Sequence, residues 1–347
     1  MGMELLWTRW RCAGVRFPDA ASRHMRIERT VLIVLAALVC ARADCAEPRY
    51  PSRPIQLVVT VPPGGAADFV ARTIGAKLAD AVGQDVVIVN RGGAGGTTAA
   101  AGVARSPPGG YTLLLNTITT HGIGPHLYAN LPYDPAKDFS PVILLAKLPL
   151  IMAVTAFLPA RSVGDVISLA KASPGRLAFA SAGTGSAPHL AGELFKTLAA
   201  IDLLHVPYRG SGPAVVDLIA GRTAIMFDAA PSLLPFIASG QVRPLAAASR
   251  ERHHLLPGVS SFAELGYPGM DISLWYGIVA AAGTPASIVQ RLNAELVKIL
   301  DMPDIRRSFA EQGADVQGGT PARFDAFMRE ESARWSAVIK EAGIKPE

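Results

Sequence analysis

Two glycine-rich segments carry residue types that suit the binding of a small anion such as a carboxylate. They are Pro62–Asp68 (PPGGAAD) and Ser181–Ser186 (SAGTGS), and each follows a strand-like run and precedes a helix-like one. Helix N-termini offer free N–H groups and a partial positive charge. Glycine lets the backbone approach a ligand, and the hydroxyls of Ser181, Thr184 and Ser186 can donate to a carboxylate. One such turn is common in α/β proteins, but a facing pair predicts an anion site.

Three further segments carry polar groups whose role the sequence leaves open. Thr117 lies in the hydroxyl-rich run 116–121, which could face a ligand or cap a helix. Asp228 ends a strand-like run and could receive an amine on a ligand, although capping of the next helix is more typical. The run 90–96 (NRGGAGG) favours a tight turn over a binding loop.

The histidines raise the question of catalysis. Ser186 and His189 could form a nucleophile and base of a hydrolase or transferase, but their spacing of one helical turn is more typical of a helix cap followed by a first-turn histidine. The sequence lacks a Gly-x-Ser-x-Gly elbow and a phosphate-binding loop. Cysteine is absent from the part of the chain that holds His121, His189 and His205, and no metal site is predicted there. We therefore predict a protein without metal, cofactor or enzymatic activity, with the Ser186–His189 enzyme kept as the alternative.

Alternating strand-like and helix-like stretches must position these segments. Apolar runs at Ile55–Val61, Asp85–Asn90 and Thr112–Asn116 predict buried parallel strands. A helical pattern follows Asp68, which is predicted to be its N-cap and runs to about Val82.

A second series of the same kind begins near Leu150, and after the apolar run Asp271–Ala281 only helices are predicted. These last helices need a sheet to pack on, so the economical solution is an α/β protein of two lobes between which the chain crosses twice. The crossings are expected near 148–154 and 269–277. The predicted first lobe is 47–149 with 271–347, and the second is 150–270.

Residues 1–46 are predicted to be a leader for export. Thr30–Ala41 is an apolar run too short to span a bilayer comfortably, and a basic stretch precedes it. We expect translation to start at Met25 and cleavage near Asp44, with a cut after Ala46 or an uncleaved anchor as alternatives. The exported protein is then periplasmic.

The leader also holds most of the charge. Residues 1–43 contain seven arginines and three acidic residues, which leaves about +1 of the formal +5 for the rest of the chain. A nearly neutral body gives no electrostatic reason to expect nucleic acid as a partner. The three cysteines all precede residue 46, so the predicted mature body has no disulfide.

The order and spacing of ten short runs over residues 50–347 make the chain resemble the Bug receptors. These are the extracytoplasmic solute receptors of tripartite tricarboxylate transporters. The matching runs are Tyr50–Ile55, Pro62–Asp68, Asn90–Gly96, Gly110–Leu114, Leu131–Asp134, Asp138–Val142, His205–Gly210, Asp217–Gly221, Gly283–Pro285 and Arg291–Asn293.

The resemblance implies a type II periplasmic-binding-protein fold that closes on its ligand. It also implies a small carboxylate ligand (a mono-, di- or tricarboxylate, including aromatic acids and acidic amino acids), permease subunits as membrane partners and a monomeric receptor. Ligand carboxylates would be held by N–H groups, hydroxyls and water. Carried over, the binding residues are Gly64, Gly65, Ala66, Ala67, Asp68, Ser181, Gly183, Thr184, Gly185 and Ser186, with Thr117, Tyr208, Gly210 and Asp228 as second contributors.

Three points stay open on the sequence alone. The small side chains of Ala66, Ala67 and Ala187 leave room for a bulkier or aromatic acid. A sensor that presents its ligand state to a signalling partner would share the same fold, and the ligand itself is not specified by hydroxyls and backbone amides.

Overall fold

The computed structural model describes residues 50–341 together with 343 and 344. The predicted leader, with its start at Met25 and cleavage near Asp44, lies outside the described residues. Among the residues described, no helix combines the length and the apolar character needed to cross a membrane.

The first lobe is built on three parallel strands in the order β2-β1-β3. The apolar side chains of the two inner strands, β1 and β3, are largely buried because helices cover the sheet, whereas the edge strand β2 is only partly buried. The strands are β1 (Ile55–Val59), β2 (Val86–Asn90) and β3 (Thr112–Thr117), and the helices are α1 (Ala66–Val82) and α2 (Thr97–Ala104). A π-helical segment (Ile118–Ile123) and the short α3 (Gly124–Leu127) continue from β3.

Helix α1 begins earlier than the sequence predicts. Its N-cap is Gly65, and Asp68 lies in the first turn, so the prediction of Asp68 as N-cap is wrong. The carboxylate of Asp68 instead accepts hydrogen bonds from the side chains of Arg72 and Asn90. From the first turn, the carboxylate also reaches back to accept the N–H of Gly64 at 3.1 Å.

Strand β4 (Phe139–Thr155) runs through both lobes. Up to Pro149 it pairs with β9 (Ser273–Ala281), and from Leu150 it pairs with the strands of the second lobe. The chain returns at Ile272, whose carbonyl accepts the N–H of Leu150 at 3.0 Å. The two predicted crossings therefore lie side by side, at neighbouring positions of β4 and β9.

The second lobe repeats the pattern of strand and helix. The elements are α4 (Val163–Ala172), β5 (Ala178–Ser181), α5 (Ala187–Ala199), β6 (Leu204–Pro207), α6 (Ser211–Ile219), β7 (Ile225–Ala229), α7 (Ala230–Ala238) and β8 (Val242–Ala248). Strands β5 and β6 are parallel, as are β5 and β7, while β7 and β8 both run antiparallel to β4.

The C-terminal segment packs on the first lobe. Helix α8 lies against α1 and β4, and α10 lies against β4 and the π-helical segment. A two-residue strand, β10 (Asp315–Val316), pairs with Ala146 and Lys147 of β4, where the sequence predicts only helices. The helices are α8 (Ala286–Leu300), α9 (Pro303–Glu311) and α10 (Pro321–Glu341).

A glycine lets α10 approach the centre of the sheet. Gly277 of β9 lies between Asn116 of β3 and Leu144 of β4. A β-carbon built there would clash with the ring of Phe324 on α10 and would lie 2.8 Å from the carbonyl oxygen of Ile143.

We expect Gly277→Ala to lower the free energy of unfolding by about 1–3 kcal/mol, the usual cost of overpacking a tight core. Urea unfolding followed by circular dichroism measures this. The matched control is Gly212→Ala in α6, where the added methyl group has no atom within 4 Å and stability should be unchanged or slightly higher. Equal stability of both variants would show that the contact between α10 and β9 tolerates a methyl group.

Candidate functional site

The carboxyl ends of β1, β2 and β3 meet at one edge of the first lobe. A β-carbon built on Gly96, in the loop after β2, would lie 2.6 Å from Cβ of Thr60 and 3.2 Å from Cγ2 of Thr120. Thr60 follows β1 and Thr120 follows β3, so the three loops touch. Ligands of open α/β sheets bind at this edge, where helices begin.

The loop after β1 presents the N-terminus of α1. No side chain caps Gly65, and within residues 50–341 no hydrogen bond occupies the N–H groups of Ala66 and Ala67. Of the five residues predicted here, Gly64 to Ala67 contribute backbone and small side chains. This positive end of α1 is therefore free to receive an anion.

Asp68 fixes the shape of that loop. Its carboxylate accepts hydrogen bonds from Nε of Arg72 at 2.9 Å, from Nδ2 of Asn90 at 3.0 Å and from the N–H of Gly64 at 3.1 Å. Burial alone would raise the pKa of Asp68, but these hydrogen bonds hold it below its usual value. A carboxylate so fully engaged positions the loop.

The loop after β5 is held by its own hydroxyls. Oγ of Ser181 accepts the N–H of Gly183 at 3.2 Å and lies 2.7 Å from Nε2 of His205. Oγ of Ser186 donates to the carbonyl of Gly183 at 2.6 Å and caps α5 by accepting the N–H of His189 at 3.4 Å. Thr184, at the tip, is exposed. The hydroxyls of Ser181 and Ser186 thus shape the turn, while the side chain of Thr184 faces outward.

Two stacked histidines form the support beneath this loop. The rings of His189 and His205 lie 4.0 Å apart at their centroids, and Phe179 stacks on both. Nδ1 of His189 accepts the N–H of Gly185 at 3.1 Å. Burial lowers the pKa of His189 to about 4 and that of His205 to about 3, so both rings are neutral near pH 7.

Sequence reasoning missed the histidines as loop supports. His205 stands in the run His205–Gly210 that carries the resemblance, and this was the available signal. Its partner Ser181 is 24 residues away, so the sequence alone does not join the two.

The geometry does not favour a Ser186–His189 catalytic pair. Nδ1 of His189 is occupied by the N–H of Gly185, and the hydroxyl of Ser186 donates to a carbonyl. Nε2 of His189 lies 4.0 Å from Glu193. No base therefore accepts the proton of the Ser186 hydroxyl in this arrangement. Within the described ranges, no group of three His, Cys, Asp or Glu side chains could hold a metal ion.

Three of the second contributors have hydrogen-bond partners within the protein. Thr117 caps the π-helical segment, because its Oγ1 accepts the N–H of Thr120 and its own N–H donates back to Thr120. This agrees with the capping alternative. The hydroxyl of Tyr208 donates to Asp217 at 2.7 Å, and the N–H of Gly210 donates to Ala182 at 3.2 Å.

Asp228 lies fully buried at the end of β7. Its Oδ1 accepts the N–H of Ala229 at 2.7 Å. Ala229 is the N-cap residue of α7, and no side chain caps this helix. Burial raises the pKa of Asp228 to about 6, although the Ser211 hydroxyl, the Ala229 N–H and the Ser232 hydroxyl act in the opposite direction. The ionisation of this carboxyl group therefore occurs nearer to neutral pH than that of an exposed aspartate.

The loops of the two lobes approach each other. A β-carbon built on Gly185 would lie 3.2 Å from Cδ1 of Leu127 and 3.3 Å from Oη of Tyr128. Helix α5 also lies beside the π-helical segment. The loop Ser181–Ser186 of the second lobe thus lies against the first lobe at Leu127 and Tyr128.

Solved structures share this architecture. The protein Rpa4515 of R. palustris, solved with adipate, is 38% identical with a TM-score of 0.83 and covers 86% of this chain and 100% of its own. The periplasmic binding protein BugD is 31% identical with a TM-score of 0.80, covering 86% and 100%. MatC from Rhodopseudomonas palustris, with bound malate, is 35% identical with a TM-score of 0.78, covering 84% and 100%.

These similarities define the class as a two-lobed solute-binding protein with the type II periplasmic-binding-protein fold. Residues 70–344 match the family described as the tripartite tricarboxylate transporter family receptor. The chain belongs to this family, which is a family of solute receptors. The resemblance to the Bug receptors, predicted from the ten runs, is confirmed.

The buried neutral histidines predict a loss of stability in acid. The unfolded chain binds protons at histidine below about pH 6.5, whereas folded His189 and His205 resist protonation until about pH 4 and pH 3. Their contribution is therefore complete above pH 6.5 and is lost as the pH falls from there toward 4.

We expect His205→Gln, whose amide can still reach Ser181, to make the decline of unfolding free energy between pH 6.5 and 4 less steep. Urea unfolding at half-unit pH steps measures the slope. His254→Gln, at an exposed histidine, is the control and should retain the wild-type slope. A slope unchanged by His205→Gln would contradict the assignment.

Proposed function

We propose that this chain is a periplasmic receptor that captures a small carboxylate between its lobes and delivers it to the permease subunits of a tripartite tricarboxylate transporter. The observation that carries this is the uncapped start of α1, together with the glycine-rich loop before α5, which lies against the first lobe at Leu127 and Tyr128. Family membership and the adipate and malate bound to two similar proteins support the choice of ligand.

The proposed lobes are residues 47–149 with 271–347, and residues 150–270. The binding groups are the N–H groups and small side chains of Gly64 to Ala67 on one side, and the loop Ser181–Ser186 on the other. Asp68 and Ser181 act by shaping these loops. Thr117, Tyr208, Gly210 and Asp228 are the second contributors to ligand binding in this proposal.

We further propose that the protein is a monomer without enzymatic activity and that it does not bind nucleic acid. Several features support a binding role. The Ser186 hydroxyl has no base, and the anion donors are backbone groups that form no covalent intermediate. Closure would be driven by contacts that the ligand makes only in the closed state.

A charge placed at Gly65 tests the anion site. Its backbone angles, φ −99° and ψ −178°, suit a side chain, and a β-carbon there has no atom within 4 Å. Asp and Asn are both good N-caps, so either variant should fold. Gly65→Asp places a carboxylate where the ligand's carboxylate would sit, and Gly65→Asn places a neutral group of the same shape.

We expect Gly65→Asp to lower the affinity for adipate and malate at least about tenfold more than Gly65→Asn does. Like charges about 4 Å apart repel by about 1–4 kcal/mol in a partly solvated site. Isothermal titration calorimetry on the three proteins measures this. A folded wild-type protein that binds none of a broad panel of carboxylates would contradict the proposed function. Equal affinities of the two variants would show that the start of α1 does not bind the ligand's carboxylate.

A further inference from the structure

One tyrosine ring lies among glycines from three separate segments. Tyr128 follows α3 in the first lobe and is half-buried. A β-carbon built on Gly95 would clash with its hydroxyl, one on Gly185 would lie 3.3 Å from Oη, and one on Gly124 would lie 3.6 Å from Cδ2. The ring therefore occupies space that any side chain at Gly95 would need.

The three glycines lie in different segments, and one of them lies in the other lobe. Gly95 lies in the loop after β2 and Gly124 in α3, so both are in the same lobe as Tyr128. Gly185 lies in the second lobe, in the loop that begins α5, and its N–H is held by His189. Tyr128 of the first lobe thus lies next to the loop Ser181–Ser186 of the second lobe.

We propose that Tyr128 is a positioning residue of the closed receptor, which holds the Ser181–Ser186 loop of the second lobe against the first lobe once a ligand is bound. This rests on the proposed function. Leu127 lies on the same side of this loop: a β-carbon built on Gly185 would lie 3.2 Å from its Cδ1. The ring acts on the loop of the partner lobe, and the ligand is held by the loops themselves.

The contact affects affinity through the closed state. When the lobes separate, Tyr128 keeps its neighbours Gly95 and Gly124 but loses Gly185. An interaction present in one of two states raises the population of that state, and the apparent affinity rises with it. Because the interaction is between protein groups, every ligand that requires closure gains by the same factor.

The experiment compares Tyr128→Ala and Tyr128→Phe with the wild-type full-length receptor, using adipate and malate as probes. Phe157→Ala is the control, since Phe157 is a 76% exposed aromatic residue of the second lobe that packs near Gly221. Titration calorimetry gives the affinities, stopped-flow tryptophan fluorescence gives the rates, and thermal unfolding without ligand gives the stability.

We expect Tyr128→Ala to weaken both ligands by the same factor, about tenfold, through faster dissociation with an unchanged association rate. Tyr128→Phe, which retains the ring, should lose less than about threefold, and Phe157→Ala should lose nothing. The melting temperature of Tyr128→Ala without ligand should fall, because the ring also packs against Gly95 and Gly124, and it establishes that the variant is folded at the temperature of the titration.

Two results would overturn the inference. One is an affinity of Tyr128→Ala within about twofold of wild type for both acids. The other is a change in the ratio of adipate to malate affinity, which would make Tyr128 a direct ligand contact. Failure of the proposed function is seen separately, as a wild-type protein that binds neither probe.

Discussion

The N–H groups at the start of a helix have no partner inside the helix, and the candidate site is built around one such set, at the uncapped start of α1 behind Gly65. Helix α5 differs, because the hydroxyl of Ser186 accepts the N–H of His189. Each loop is fixed by polar groups beneath it: buried Asp68 in the first lobe, and buried His189 with half-buried His205 in the second. The side chains that fix the loops are thus different from the open N–H groups of α1.

The strand and helix pattern was largely predictable, because buried parallel strands are continuous apolar runs that stand out in a sequence. The exceptions were set by tertiary contacts. Asp68 has the residue type and position of an N-cap, but Arg72 and Asn90 engage it, and Asn90 reaches it only through the folded sheet. Strand β10 consists of two residues and exists because β4 offers it a partner at Ala146 and Lys147. No local pattern marks such a strand.

The two loops of the candidate site were predictable, because glycines and hydroxyl residues between a strand and a helix stand out in the sequence. Its supports were less visible, because their partners lie far along the chain. His205 contacts Ser181 from the next strand of the sheet, and Tyr128 fits among Gly95, Gly124 and Gly185, which come from three segments. A glycine that admits a neighbouring ring looks the same in sequence as a glycine that makes a turn. Here Gly95 and Gly185 do both, since their φ angles are 60° and 75°.

Strand β4 passes from one lobe to the other at Pro149 and Leu150 without leaving the extended conformation, and β9 runs beside it. A paired strand cannot lengthen, but the twist between neighbouring strands varies widely. Because this strand pair joins the lobes, a change in the angle between them requires a change in the twist of β4 and β9. Closure on a ligand would then carry a torsional cost, set by residues of the strand pair that are remote from the ligand.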